Sequence, residues 1–252
     1  MKQYIPNVLT LLNIFCGCLA VVFAIWNQWD LMAFFFFMGI IFDYFDGLVA
    51  RILDVQTELG IQLDSLADMI TSGLVPGIVM FQLLNMSQSG GWNMLHMSEM
   101  TESMNWISAE GIFPFLGFLI TLASGYRLAR FNIDENQVTS FIGLPTPANA
   151  LLIISFPLIL MYQGNDQLNM IILNPWFLVG VVLISSFLLN APIELFALKF
   201  KNWSFKDNAL RYIFVLVSLV LIGTMKFLAI PAIVLFYIIS SLLSNFGTSK
   251  TE

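Results

Sequence analysis

Charge is what this chain has least of. Of 252 residues only 10% are charged, against about a quarter in soluble domains, while 58% are hydrophobic and 16 more are Gly. That balance excludes an ordinary soluble enzyme. Basic residues are scarcer than acidic ones: Lys and Arg number 10 against 16 Asp and Glu, a formal net charge of −6. No basic run offers a footprint for nucleic acid, so a nucleic-acid partner is excluded. Only two Cys are present, Cys16 and Cys18. Two residues apart on a helix they point to different sides, so neither a disulfide framework nor a thiolate metal clip follows, and both read as buried small hydrophobes.

What the chain does have is long apolar runs. Crossing a bilayer core takes about 20 helical residues, and stretches of that order lie at roughly 7–26, 31–50, 59–84, 111–129, 147–163, 171–190, 209–225 and 228–244. They predict a polytopic all-α membrane bundle with no soluble domain, low-complexity tract or repeat. The last two stretches are separated only near Gly223 to Lys226, so a hairpin and one long kinked helix are both open. A lone Lys2 before the first stretch, with no small-residue cleavage site after it, predicts a retained helix rather than a cleaved signal.

The few cations then fix orientation. Lys2, Arg51, Arg127, Arg130, Lys199, Lys201, Lys206, Arg211 and Lys250 fall on one side of eight spans and Lys226 alone on the other. By the positive-inside rule the first side is the cytoplasm, and it holds both termini of a protein of the cell membrane. The longest outer connection, about 86–110, intersperses Trp92, Leu95, Met97, Met100, Met104 and Trp106 among polar residues and is expected to lie along the interface. The only His, His96, falls there, away from any cytoplasmic chemistry.

Against this background four carboxylates stand out. Asp43, Asp46, Asp64 and Asp68 lie inside the second and third spans, where an ionised Asp costs about 2.5–3.5 kcal/mol at a helix centre. Asp43 and Asp46 are three apart and Asp64 and Asp68 four apart, so each pair shares a helix face. Counted from the inner loop at about 1.5 Å per residue, Asp46 and Asp64 lie roughly 8–9 Å deep and Asp43 and Asp68 roughly 12–15 Å deep, so the pairs can face each other. Oxygen-only ligation suits Mg²⁺, Mn²⁺ or Ca²⁺ rather than zinc. Two dications would neutralise the cluster and could polarise a phosphoryl group. Gly47 and Ala50 on one helix and Gly60 on the other open space beside the acids, and Arg51 closes the second span where it could meet a phosphate. An ion or proton pathway is the competing use of such acids, although it does not require this Gly, Ala and Arg pattern.

Residues 43–68 read Asp-x-x-Asp-Gly-x-x-Ala-Arg, eight residues, then Gly-x-x-x-Asp-x-x-x-Asp. This resembles the motif of the CDP-alcohol phosphotransferase family, integral membrane enzymes that move a phosphatidyl or similar group from a CDP-linked donor to an alcohol. The resemblance implies a six-helix core, usually homodimeric, with a dinuclear metal site and a nucleotide pocket open to the cytoplasm; the last two spans are then additions. It implies Asp43, Asp46 and Asp64 as metal ligands, Asp68 as catalytic base and further metal contact, and Asp46, Gly47, Ala50, Arg51 and Gly60 around the CDP moiety.

Three further segments resemble membrane-type phosphatidylserine synthases within that family. In Pro-Asn-x-x-Thr-x-x-Asn at 6–13, Asn7, Thr10 and Asn13 drift slowly around one helix; donor contact, or a cap by Asn7 with buried polar packing, are both open. In Arg-Leu-Ala-Arg-Phe-Asn at 127–132, Arg127 and Arg130 can point into one pocket with Asn132 nearby, where guanidinium suits a phosphate or a serine carboxylate; inner-face topology alone is the other reading. In Gly-Leu-Pro-Thr-Pro-Ala-Asn at 143–149 the prolines suit a helix start, and Asn149 stands where the resemblance leads one to expect a small residue.

The resemblance thus divides the chain into a catalytic membrane domain, 1–190, and a remainder, 191–252, of inner loop, two spans and tail. It implies phosphatidyl transfer from CDP-diacylglycerol to L-serine, with CMP released. The alternatives are glycerol 3-phosphate or inositol phosphate as acceptor, which would call for more basic residues at the inner face, and an ion or proton transporter.

Overall fold

A backbone in hydrocarbon must satisfy its own hydrogen bonds, and this one does so almost entirely as helix. The computed structural model describes residues 4–88, 109–133, 141–196 and 205–248. Helix α1 (Tyr4–Ile25) and α2 (Trp29–Ile52) are joined by a tight reversal in which Asn27 takes φ 55° and Gln28 N–H bonds back to the Phe23 carbonyl at 2.9 Å. A second short link, with Asp54 at φ 52°, leads to Thr57, whose hydroxyl accepts from Gly60 N–H at 3.0 Å and caps α3. Helix α3 (Glu58–Gln88) contains a π-helical stretch, Met69–Leu74, directly after Asp68.

After a 3₁₀ turn, Phe113–Gly117, come α4 (Phe118–Ile133), α5 (Thr146–Tyr162), α6 (Asp166–Ile172), α7 (Pro175–Asn190), α8 (Phe205–Met225) and α9 (Ala229–Thr248). Strands β1 (Phe141–Ile142) and β2 (Glu194–Leu195) pair antiparallel, Phe141 opposite Leu195. Among the described residues, the helical stretches long and apolar enough to cross a bilayer are α1, α2, α3 and the run Asn208–Leu243; α6 with α7, bent by 60°, makes a fifth when taken as one span.

The run Asn208–Leu243 is not a single rod. Phe214 stacks on Phe236 with centroids 5.8 Å apart, whereas 22 residues of straight helix would separate them by about 33 Å. Lys226, at φ 52°, starts the 3₁₀ turn Lys226–Leu228 where the chain reverses. Of the two sequence readings the hairpin is the one realised, with α8 and α9 side by side.

Helix α3 is the central post. Its Val75, Val79, Met80, Leu83 and Leu84 are fully buried against Met32 and Phe36 of α2, Ile120 of α4, Ile153, Ile154 and Ile159 of α5, and Leu178 and Val182 of α7. Lipid gives apolar helices little reason to exclude one another's surfaces, so close approach does the holding. Gly17 shows it: a Cβ there would fall 2.6 Å from the Thr71 hydroxyl, so α1 lies directly on the π-helical stretch. A smaller cluster, Leu144, Leu195 and Val234, joins the start of α5, β2 and α9.

Two expectations change. Cys16 is buried but Cys18 is exposed, because the opposite sides that two-residue spacing dictates are here core and periphery. Asn149 is fully buried and accepts a 2.7 Å hydrogen bond from Ser185, so the polar residue in place of a small one ties α5 to α7. The expected interfacial connection with Trp92, His96 and Trp106 lies outside the described residues, as do Lys2, Lys199, Lys201 and Lys250.

Candidate active site

The carboxylates meet where α2 and α3, each packed on α1, bring their acid faces together. Asp43, Asp46 and Asp64 each offer an oxygen within 4.8 Å of the other two, and the side chains of Asp43 and Asp64 touch directly. Depth along the helices puts Asp46 level with Asp64; the side-chain contact instead joins Asp43 to Asp64. Asp68, one turn beyond Asp64 along α3, lies outside this trio but close enough to interact electrostatically with Asp64, Arg127 and Asp46. The donor set fits a hard dication: all oxygen, three carboxylates converging, no nitrogen or sulfur ligand among them.

The trio is braced from α1. Thr10 Oγ1 lies 2.5 Å from Asp46 Oδ2 and 3.1 Å from the Pro6 carbonyl. Asn13 Nδ2 donates to Asp43 Oδ1 at 3.4 Å, and its own Oδ1 accepts from the Thr71 hydroxyl at 2.7 Å. Thr10, Asn13 and Thr71 are all buried. The π-helical stretch supplies Thr71: its wider turn shifts the register after Asp68, a distortion common at functional sites. Asn13, singled out with Asn7 and Thr10 by its three-residue step, meets Asp43 rather than an open donor face. Thr71 is not among the expected site residues, and nothing in the sequence announces the wide turn that carries it.

The remaining expected residues divide. Beside Gly60 a Cβ would lie 3.5 Å from Asn7 Oδ1, so Asn7 and Gly60 face each other across α1 and α3. Around Gly47 there is open space, the nearest atom being an Arg51 nitrogen at 3.9 Å, and Arg51 is exposed with Nε donating to the Gly47 carbonyl at 2.9 Å. Ala50 is half-buried on the same helix and accepts from Val55 N–H at 3.0 Å. Arg127 and Arg130 share one cleft with Phe131, Ile142, Leu189 and Asn190. Asn132 is not brought there: its Oδ1 accepts from Ser65 at 3.0 Å and its Nδ2 donates to Gln62 at 3.4 Å, which ties α4 to α3.

The 143–149 segment follows Ile142 of that cleft and fixes β1 against the end of α7. Gly143, at φ 74°, sends its N–H to the Ile193 carbonyl at 2.9 Å, and Leu144 N–H bonds the Leu188 carbonyl at 2.8 Å. A Cβ on Gly143 would stand 2.5 Å from the Leu189 carbonyl, so only glycine lets β1 lie this close to the end of α7. Pro145 precedes the first residue of α5 and Pro147 sits in its first turn, where proline is tolerated.

An acid cluster able to hold a dication, beside an open glycine face and within electrostatic reach of the half-buried Arg127, is an arrangement for phosphoryl chemistry. The family model for CDP-alcohol phosphatidyltransferases matches residues 3–187. The chain belongs to that family. Among curated relatives of this CDP-alcohol phosphatidyltransferase is the CDP-diacylglycerol–serine O-phosphatidyltransferase of Bacillus subtilis, 30% identical over 160 residues, 61% of this chain and 76% of the relative. The enzyme of that name from Methanocaldococcus jannaschii is 32% identical over 169 residues, covering 67% and 68%. That from Helicobacter pylori strain 26695 is 29% identical over 187 residues, covering 72% and 69%.

Proposed function

We propose that this CDP-alcohol phosphatidyltransferase uses L-serine, moving the phosphatidyl group of CDP-diacylglycerol to the serine hydroxyl and releasing CMP. The observation that carries the reading is the convergence of Asp43, Asp46 and Asp64 on one point, with Asp68 within electrostatic reach of Asp64 and of Arg127. The three named relatives, each a serine enzyme, support the choice of acceptor.

In this reading Asp68 takes the proton of the serine hydroxyl, whose oxygen then forms a bond to the phosphorus bearing diacylglycerol as the bond from that phosphorus to CMP breaks. Asp43, Asp46 and Asp64, with Asp68 at their edge, hold Mg²⁺ or Mn²⁺, two ions per site, with Ca²⁺ able to occupy the same oxygens. Bound there, the ions supply positive charge against the diphosphate. Gly47, Ala50, Arg51, Gly60 and Asn7 line the donor side, and Thr10 keeps Asp46 turned toward it. Arg127 and Arg130 take the acceptor, and Asn132 holds the end of α4 on α3.

The proposed setting is a homodimer in the cell membrane, with both termini and the site at the cytoplasmic face. Residues 1–190 form a six-helix catalytic core, consistent in extent with the family match, and 191–252 form the added hairpin and tail. A lipid donor reaches such a site laterally from the inner leaflet while serine arrives from the cytoplasm.

The test is CMP release by detergent-solubilised protein given CDP-diacylglycerol, Mn²⁺ or Mg²⁺, and an acceptor, without any membrane gradient. L-serine should support release and chelation should stop it. Release with glycerol 3-phosphate or inositol phosphate but not serine would move the protein to another acceptor class. No release with any alcohol would favour an ion pathway through the acids.

A further inference from the structure

The small cleft between the ends of α4 and α7, lined by Arg127, Arg130 and Asn190 among others, carries two polar groups of opposite character. Arg127 Nε and Asn190 Oδ1 are both buried, and neither has a hydrogen-bond partner. Buried donors and acceptors are nearly always paired, so two unpaired groups on one small cleft point to something that enters and pairs them. The orientation of Asn190 is fixed: its Nδ2 donates to the Ala123 carbonyl at 3.0 Å. The reverse orientation would set two oxygens against each other, so the amide oxygen is the end left for the cleft.

A ligand that satisfies both must bring an acceptor to Arg127 and a donor to Asn190. Arg130 adds a second guanidinium on the same cleft. A phosphate-bearing alcohol offers both arginines its anion and the amide oxygen only a neutral hydroxyl, a weaker partner than a cation. An α-amino acid offers a carboxylate for the forked guanidinium and an ammonium for the amide oxygen. Arg127 also interacts electrostatically with Asp68, so a molecule held by its carboxylate on Arg127 lies in the neighbourhood of the proposed base.

We propose that Asn190 is a specificity-determining residue that accepts a hydrogen bond from the ammonium group of the acceptor while Arg127 binds its carboxylate. The assignment rests on the serine reading and says which groups make it.

The decisive experiment compares L-serine with 3-hydroxypropanoate, which keeps the hydroxyl and carboxylate and lacks the ammonium, as acceptor and as competitor in the CMP assay. Asn190→Leu should raise the KM for serine about tenfold and leave the KM for CDP-diacylglycerol and the affinity for 3-hydroxypropanoate within twofold of wild type. An unchanged serine KM, or equal losses for serine and 3-hydroxypropanoate, would overturn the assignment, the second outcome marking a merely structural role. Asn190→Asp serves if the leucine variant fails to fold: its carboxylate should sharpen the preference for serine over 3-hydroxypropanoate, and an unchanged or weaker preference overturns the proposal. Wild-type CMP release with a phosphate-bearing alcohol and none with serine would overturn the serine reading and this assignment together. Serine activity indifferent to Asn190 would overturn the assignment alone.

Discussion

The two walls of the site are built on opposite plans. On the acid wall each carboxylate of the trio is tied: Asp46 to Thr10, Asp43 to Asn13 and to Asp64, with Thr71 holding Asn13 from behind. These residues belong to α1, α2 and the central helix α3. On the basic wall Arg127 Nε and Asn190 Oδ1 are buried without partners, and the elements that present them are helix ends propped by a two-residue strand pair. A template for small ions with strict geometry gains from being rigid beforehand, since misplacement of an oxygen by an ångström weakens ligation. A pocket for a small zwitterion can leave its hydrogen bonds to be completed by the ligand, and then rejects molecules that cannot complete them.

Asp68 interacts electrostatically with Asp64 of the acid wall and Arg127 of the basic wall, which makes it the strongest test of the division. Asp68→Asn keeps size and removes the proton acceptor. It should lower kcat by about 10³-fold or more, while the KM values for both substrates stay within a few-fold. Transfer of labelled serine into lipid by the purified variant, with its thermal unfolding as control, measures this. Near-normal turnover would remove Asp68 as base.

The bracing of the acid wall is tested next. Asn13→Leu removes the amide between Thr71 and Asp43 without opening a cavity. Groups that orient ligands from behind typically change metal affinity by about 10- to 100-fold, and a loss of that size is expected here, read by calorimetric titration with Mn²⁺. Activity should return at saturating metal, and the serine KM measured there should match wild type. Unchanged metal affinity would mean that α1 packs beside the acids without positioning them.

How far the sequence alone could lead differs between the walls for a physical reason. The acid wall uses regular helix, so three- and four-residue spacing already set Asp43 beside Asp46 and Asp64 beside Asp68 on their faces. Where regularity fails, legibility fails with it. Thr71 reaches Asn13 only because Met69–Leu74 winds as a wider turn, which no 3.6-residue period reveals. The basic wall depends on chain ends meeting through space: Asn190 at the end of α7 reads in sequence as an ordinary helix terminus, and only β1 folding against Leu189 makes it a cleft residue. Asn132 misleads in the opposite sense, since its place beside Arg127 and Arg130 suggested acceptor contact while its side chain turns to Ser65 and Gln62. The hairpin of α8 and α9 was one of two readings until ring stacking across it decided between them.

The propping of the basic wall predicts a smaller, mixed effect. Gly143→Ala places a methyl group 2.5 Å from the Leu189 carbonyl in a backbone conformation with φ 74°. Strain of this kind costs about 1–3 kcal/mol, so the melting temperature should fall by roughly 2–12 °C for a chain of this size. Because Leu189 adjoins Asn190, the serine KM should rise as well, while Mn²⁺ affinity holds. Loss of metal affinity instead would show that the two walls are not mechanically separate.

The smallest effect is expected where the hairpin reaches the cleft. Tyr237 of α9 donates its hydroxyl to the Phe196 carbonyl at 2.9 Å, packs its ring on Phe196 and Phe214, and lies close enough to Arg127 for the two to interact electrostatically. Tyr237→Phe keeps the ring contacts and deletes one hydrogen bond, worth about 0.5–1.5 kcal/mol net. If the hairpin only buttresses the basic wall from outside, the melting temperature should drop by a few degrees, the serine KM should change less than threefold and metal affinity should not change. A tenfold rise in serine KM without loss of stability would mean that the hydroxyl reaches the acceptor through Arg127. The basic wall would then extend beyond the family core into the segment after residue 190, and its boundary with the added hairpin would have to be redrawn at Tyr237.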